Sequence, residues 1–226
     1  MRARSLLRAV VLLTAGALHP AAVSEDDVVD RPVLKAGDRW VYRMLDGFTG
    51  LERFRYGVSI VEATWPKPMV SFGPPVPDGQ SLRPPYGDTA EPWSWPPSGL
   101  RTESGTYDLV EFPLTVGKEW SMKFEVFWYG GAQGVAQLMP DRRKATVEGW
   151  QSIRVPAGEF RVLRVVQVGR RRMHRRDGEF DVPMRETVWY SPDVKNFVRR
   201  EIRWLESGPG GVNDRHIWEL VEYEVK

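Results

Sequence analysis

Seven arginines and no acid lie between Phe160 and Arg176. Five of them, Arg170, Arg171, Arg172, Arg175 and Arg176, crowd one predicted hairpin that turns at Asp177-Gly178. Guanidinium forks match phosphate and carboxylate, so this run is a candidate anion site for lipid A, an anionic phospholipid or an acidic glycan. Glu179 and Asp181 return on the next strand, and a solvated, charged hairpin that guards a sheet edge is the simpler reading. Two carboxylates, Glu186 and Glu201, fall on adjacent predicted strands, the pairing a glycosidase would use for acid–base work. Cross-strand ion pairs with the neighbouring Arg185 and Arg200 explain them more simply. Histidine chemistry is thin. His19, His174 and His216 show no His-x-His or His-Glu-x-x-His spacing, so no metal site is expected. No Gly-x-Ser-x-Gly elbow or glycine-rich phosphate loop is present, and no catalytic residue or cofactor is assigned.

Aromatic residues supply the second set of candidates. Trp65, Trp93 and Trp95 sit in a segment, 64–100, that holds ten of the chain's 18 prolines. Proline at that density excludes a central strand or helix interior, so the segment reads as a long loop over one rim of the domain. Its rings either stack on a ligand such as a sugar or plug the open end of the core. Trp120, Phe124 and Trp128 alternate along one strand, with Met122 and Val126 between them, and are candidate ligand-binding residues on a concave face.

The elements that must position these residues are strands. Ala145–Val155, Phe160–Val168, Met184–Tyr190 and Phe197–Trp204 carry β-branched and aromatic residues between Pro, Gly, Asn and Asp turns. In the second of them Phe160, Val162, Val166 and Val168 share a face with Arg164. Earlier, a turn at Gly37-Asp38 feeds a strand with Trp40, Tyr42 and Met44 on one side, and Glu52–Glu62 is its hairpin partner. Met69–Phe72 is a short edge strand. Leu114, Gly117 and Trp120 repeat the spacing of Leu34, Gly37 and Trp40, which marks two strand entries of the same physical kind. Ala132–Met139 has room for a helical turn or two before Pro140-Asp141. The last strand, from His216, puts Ile217, Val221, Tyr223 and Val225 on one face. The expected fold is all-β, a strongly curved antiparallel meander of about nine or ten strands forming a half-barrel or barrel.

Residues 1–24 read as a secretory signal peptide. Arg2, Arg4 and Arg8 precede the apolar run Ala9–Leu18, and Pro20-Ala-Ala-Val-Ser24 offers cleavage near Ala22 to Ser24. The apolar run is half the ~20 residues a bilayer span needs, so no transmembrane anchor is expected. Residues 25–226 are then a single β domain, periplasmic or secreted. Loss of the three arginines shifts the formal charge from +2 to −1, which gives nucleic acid no purchase. With no cysteine, disulfides and thiol chemistry are excluded.

The pieces Leu34-Lys-Ala-Gly-Asp-Arg-Trp40, Arg154-Val-Pro-Ala-Gly-Glu-Phe160 and Val188-Trp-Tyr-Ser-Pro-Asp-Val-Lys-Asn-Phe-Val-Arg-Arg-Glu201 carry a resemblance. They resemble uncharacterised secreted and periplasmic bacterial β-domains in which a Val-Pro-Ala-Gly-x-Phe turn precedes a Trp-Tyr-Ser/Ala-Pro turn. The fold of that set is similar to the half-barrel of the LolA/LolB lipoprotein carriers. The resemblance implies a fold and a concave apolar face for a lipid-like ligand, and it carries no catalytic residue. The expectation is a non-enzymatic protein binding a hydrophobic or envelope-derived ligand in the concavity of its sheet. A packed envelope module that works through protein partners is the alternative, and an envelope-glycan binder or hydrolase is the second.

Overall fold

The computed structural model describes residues 28–63, 69–73, 88–89, 109–129, 136–175, 178–205 and 215–226, with backbone alone at 69–73, 88–89, 125–129, 136–139 and 173–175. Two antiparallel meanders make one sheet. The first holds β1 (Arg39–Asp46), β2 (Glu52–Glu62), β3 (Met69–Gly73) and β4 (Asp88–Thr89). The second holds β5 (Glu119–Tyr129), β6 (Ala136–Val155), β7 (Gly158–Arg175), β8 (Gly178–Ser191), β9 (Asn196–Trp204) and β10 (Arg215–Glu224). The order across the sheet is β4-β3-β2-β1-β10-β9-β8-β7-β6-β5, so each meander runs through in sequence and the two meet where β10 pairs with β1. The sheet is open, and its two edges are β4 and β5. This is the all-β curved meander the alternation requires.

Both strand entries are built alike. Gly37 (φ 89°) and Gly117 (φ 84°) take a left-handed conformation that a side chain resists. The Gly37 N–H donates to Ile60 O and the Gly117 N–H to Val147 O, each at 2.8 Å and each on the next strand of its own meander. The carbonyls of Asp38 and Lys118 then accept from the N–H of the same two residues. Trp40 and Trp120, three residues past each glycine, are buried.

One face of the sheet carries the core. Trp40 and Tyr42 on β1, Trp120, Met122 and Phe124 on β5, Val165 on β7 and Val188 on β8 all bury there, while Ser121 and Lys123 point out. The irregular stretch 109–118 crosses this face and buries Leu109, Val110 and Leu114. Leu114 also pairs with Val29 in an isolated antiparallel bridge. At one end of the sheet the β8–β9 turn folds inward, and Trp40 Nε1–H donates to Val194 O at 2.8 Å. There the β6–β7 turn reaches β10, with Ala157 N–H donating to Leu220 O at 3.1 Å and Phe160 edge-on to Tyr223.

Three expectations are corrected. Residues 136–139 are strand, not helical turns, because β6 runs straight through Pro140. Pro140 pairs with Glu125 of β5, but the register with β7 starts only at Asp141, so the missing N–H falls where a ladder has ended. On β7 the face of Phe160, Val162, Val166 and Val168 is not the core face along its whole length. Val168 is 48% exposed, whereas Leu163, Val165 and Gln167 of the opposite parity are fully buried. On β10 the set Ile217, Val221, Tyr223, Val225 is broken by a bulge. Val41 pairs with Glu222 and Tyr42 with Leu220, so Val221 has no place in the register and the faces swap there.

Candidate functional site

Extending period two from the buried Ala145 and Val147 back along β6 puts Arg143 and Asp141 on the same inward face. That placement sets a charge ladder inside the concavity. Arg143 forks onto Asp141, with Nε–Oδ1 and Nη2–Oδ2 both 2.9 Å. Arg171 of β7 donates to Asp141 Oδ2 from Nε at 3.0 Å and from Nη2 at 2.8 Å. The third nitrogen of Arg143 donates to Glu186 of β8 and, at 3.2 Å, to Gln167 Oε1. Arg200 of β9 holds the other Glu186 oxygen through Nε. All six side chains are buried. Rings floor the guanidiniums, with Phe124 5.1 Å from Arg143, Trp204 4.8 Å from Arg171 and Trp218 4.7 Å from Arg200.

Gly169 makes the ladder sterically possible. A β-carbon there would stand 2.8 Å from Arg143 Cγ and 2.1 Å from the Arg142 carbonyl. Arg143 therefore passes over the β7 backbone at a bare position and reaches β8. Burial pushes the Asp141 carboxyl up, but the charges of Arg143 and Arg171 outweigh it and hold the group below the usual carboxylate range. Each carboxylate is engaged by two arginines. The ladder is a lock, suited to holding β6 to β9 in register rather than to moving protons. Gln167 Nε2–H extends it to Leu109 O at 3.1 Å, which pins the stretch across the core.

A second feature lies at the end of the sheet where the β8–β9 turn folds in. A cleft of about 620 Å³ opens between residues 28–35 and that turn. Its charged lining is Lys35, Arg161, Lys195 and Lys226, with Asp30 and Asp193 of the other sign. Its apolar lining is Val28, Val29, Pro32, Val33 and Pro192, and Trp150 and Tyr190 line it too. Arg161 lies 4.0 Å over the Trp150 ring. Behind the cleft, buried Asp38 ties the parts together. It accepts the Lys35 N–H at 2.9 Å, the Lys226 N–H at 2.8 Å and Lys195 Nζ at 3.2 Å. Burial raises the Tyr190 hydroxyl well above its ordinary range. Neither Tyr190 Oη nor Trp150 Nε1 meets a hydrogen-bond partner among the described residues.

The residues singled out from sequence are scattered. Trp120 and Phe124 are core residues under the ladder, Trp128 is described by its β5 backbone alone, and Trp65, Trp93 and Trp95 lie outside the described residues. Of the arginine hairpin, Arg171 points inward to Asp141, Arg170 is exposed, and exposed Arg172 pairs with Asp181 at 3.1 Å. Arg175 is described by its backbone, and Arg176 and the signal segment lie outside the described residues. Glu186 and Glu201 do not face each other. Glu186 pairs in register with Ile202 and is buried in the ladder, whereas Glu201 pairs with Thr187 and bonds Arg215 at 2.7 Å on the opposite face. Among the described residues no group of His, Asp and Glu is placed to hold a metal. His216 stacks on Trp218 with centroids 5.8 Å apart. The cleft was missed because residues 28–35, the β7 start and the β8–β9 turn are far apart in the chain. The one sequence signal for it was the concentration of Lys and Asp in the turns at 35–38 and 193–195.

One solved structure shares this fold. A Bacteroides fragilis protein proposed to be exported, with a YmcC-like fold, superposes with a TM-score of 0.50 at 11% identity, covering 87% of this chain and 99% of its own. A proposed lipoprotein of Parabacteroides distasonis gives 0.41 at 14% identity, over 88% of this chain and 100% of its own. No family model matches the chain. No curated protein matches it either.

Proposed function

We propose that this chain is an exported, non-catalytic binding protein of the cell envelope that holds an envelope-derived ligand in its end cleft. The observation that carries this reading is the cleft itself. Its volume of about 620 Å³ falls within the roughly 300–1,000 Å³ of small-molecule sites, and cationic, apolar and aromatic side chains line it together. The likeness to LolA/LolB carriers would put a lipid-like ligand in the concavity instead. Against that placement, Leu109, Val110, Leu114 and the charge ladder fill the described part of the concave face. Export is supported by the basic, apolar and small-residue order of residues 1–24. It is also supported by the printed description of the Bacteroides fragilis neighbour as a proposed exported protein. No helix among the described residues is long and apolar enough to cross a membrane.

Native mass spectrometry of the protein released gently from its own envelope tests the proposal. A retained small molecule that disappears in a Trp150→Ala, Tyr190→Phe variant is the expected result. Protein that emerges at its bare mass from repeated mild extractions overturns it. A second reading, an envelope module recognised by a protein partner, is favoured by one observation. The β1–β2 hairpin exposes Phe48 (56%), Leu51 (62%) and Phe54 (46%) together.

A further inference from the structure

Cationic side chains outnumber acidic ones along the end cleft, and that imbalance bears on its ligand. Four cationic side chains line it against two carboxylates. An ammonium has three hydrogens to give. Lys195 Nζ gives one to Asp38 and one to Lys226 O at 2.7 Å, and Lys226 Nζ gives one to Ala36 O at 3.3 Å. By that count Lys195 keeps one hydrogen and Lys226 keeps two. The Tyr190 hydroxyl and the Trp150 indole N–H are buried out of reach of solvent and have no partner among the described residues, so the lysines are the donors that the cleft offers. The carboxylate best placed to compete, Asp38, is fully buried and already accepts three bonds.

The apolar lining sets the rest of the ligand. Val28 is 42% exposed and Val33 74% exposed at the cleft, so these side chains offer apolar surface that water now covers. The Trp150 ring, with Arg161 over it, adds a flat surface to the lining.

Resting on the reading of this cleft as a binding site, we propose that it takes an amphipathic anion: a phosphate, sulfonate or carboxylate head against Lys195 and Lys226, and an apolar body along Val28, Val33 and Trp150. The head reads the donors. The body reads the apolar lining, so a bare inorganic anion is a poor ligand.

Two dyes that differ by one charged group test this on the full-length secreted protein. 8-Anilinonaphthalene-1-sulfonate carries the sulfonate, and N-phenyl-1-naphthylamine is its uncharged counterpart. The sulfonate dye is expected to bind saturably at one site and at least tenfold more tightly than the neutral dye. Dodecyl phosphate is expected to displace it, and inorganic phosphate at the same concentration is not. Lys226→Gln, at an exposed position, is expected to weaken the sulfonate dye about tenfold, as loss of a charge-assisted bond requires. Unchanged near-ultraviolet circular dichroism checks that the variant is folded. If both dyes bind equally, the cleft stands as a site and the anionic head is wrong. If inorganic phosphate competes as well as dodecyl phosphate, the apolar body is wrong. If neither dye binds the folded protein, the cleft is not a binding site and the proposed function falls with it.

Discussion

Asp141 and Glu186 show how much a single buried carboxylate supports when two guanidiniums depend on it. Replacing Glu186 with Gln leaves Arg143 and Arg200 facing a neutral amide inside the sheet. Breaking a buried pair from one side costs about 3–5 kcal/mol, so E186Q is expected to lose at least ~3 kcal/mol in urea unfolding. A loss below ~1 kcal/mol would mean that the ladder is dispensable. Asp141 makes a pH prediction. Its carboxyl is held below the usual range in the fold, so the unfolded chain binds its proton first as pH falls. Its stabilisation is full above the unfolded value of about 4 and drains away as pH falls below that. Asp141→Asn is expected to flatten the acid limb of stability against pH while lowering stability at pH 7. The arginine run shows why this was hard to read in advance. Arg171 looks like its neighbours, but the β6–β7 register sets it opposite Asp141, thirty residues earlier. Sequence proximity says nothing of that partner. Alternation was the available signal, since Asp141 and Arg143 share parity with Ala145 and Val147.

At the scale of elements, the repeated entry turn was legible because glycine and tryptophan each have a physical task there. Gly37→Ala and Gly117→Ala are each expected to cost about 1–2 kcal/mol, the penalty of a left-handed residue with a side chain. Gly117 has open space around its missing β-carbon, so its loss reports backbone strain alone. Gly169→Ala tests something else. Its new methyl meets a backbone carbonyl at 2.1 Å, so β6 and β7 must part, and it is expected to exceed the loss in Gly117→Ala in the same urea titration. Most strands were readable, but β4 inside the proline-rich segment was not, and the start of β6 at 136–139 read as helical turns. Faces were readable only between bulges. On β10 the alternation is regular through Leu220, and the extra residue at Val221 turns the remainder over. Nothing local in Leu-Val-Glu-Tyr announces that, because the bulge answers the curvature of the paired strand.

For the whole molecule, an open, curled sheet follows from the count and length of strands, and that much the alternation predicted. What fills the curl was not predictable. Leu109, Val110 and Leu114 cover the concave face from a stretch with no regular element, and Gln167 fastens it by one amide. The edges are managed differently. β4 is two residues long, so little ladder is left open on that side. The end cleft depends on the same closure, since its walls come from residues 28–35, the β6–β7 hairpin and the β8–β9 turn.

The β1–β10 pairing has a temporal consequence. Arg39 meets Glu224 across 185 residues, and among the described residues the two meanders share no other ladder. While the chain is still being made, its opening hairpin has no mate on its inner side, and contacts of such long range form slowly. Deleting residues 215–226 is therefore expected to abolish the cooperative melt rather than lower its midpoint, as read by circular dichroism during heating. The last strand works as a clasp. Until it arrives the opening hairpin keeps one bare flank, and once it snaps shut the sheet is whole.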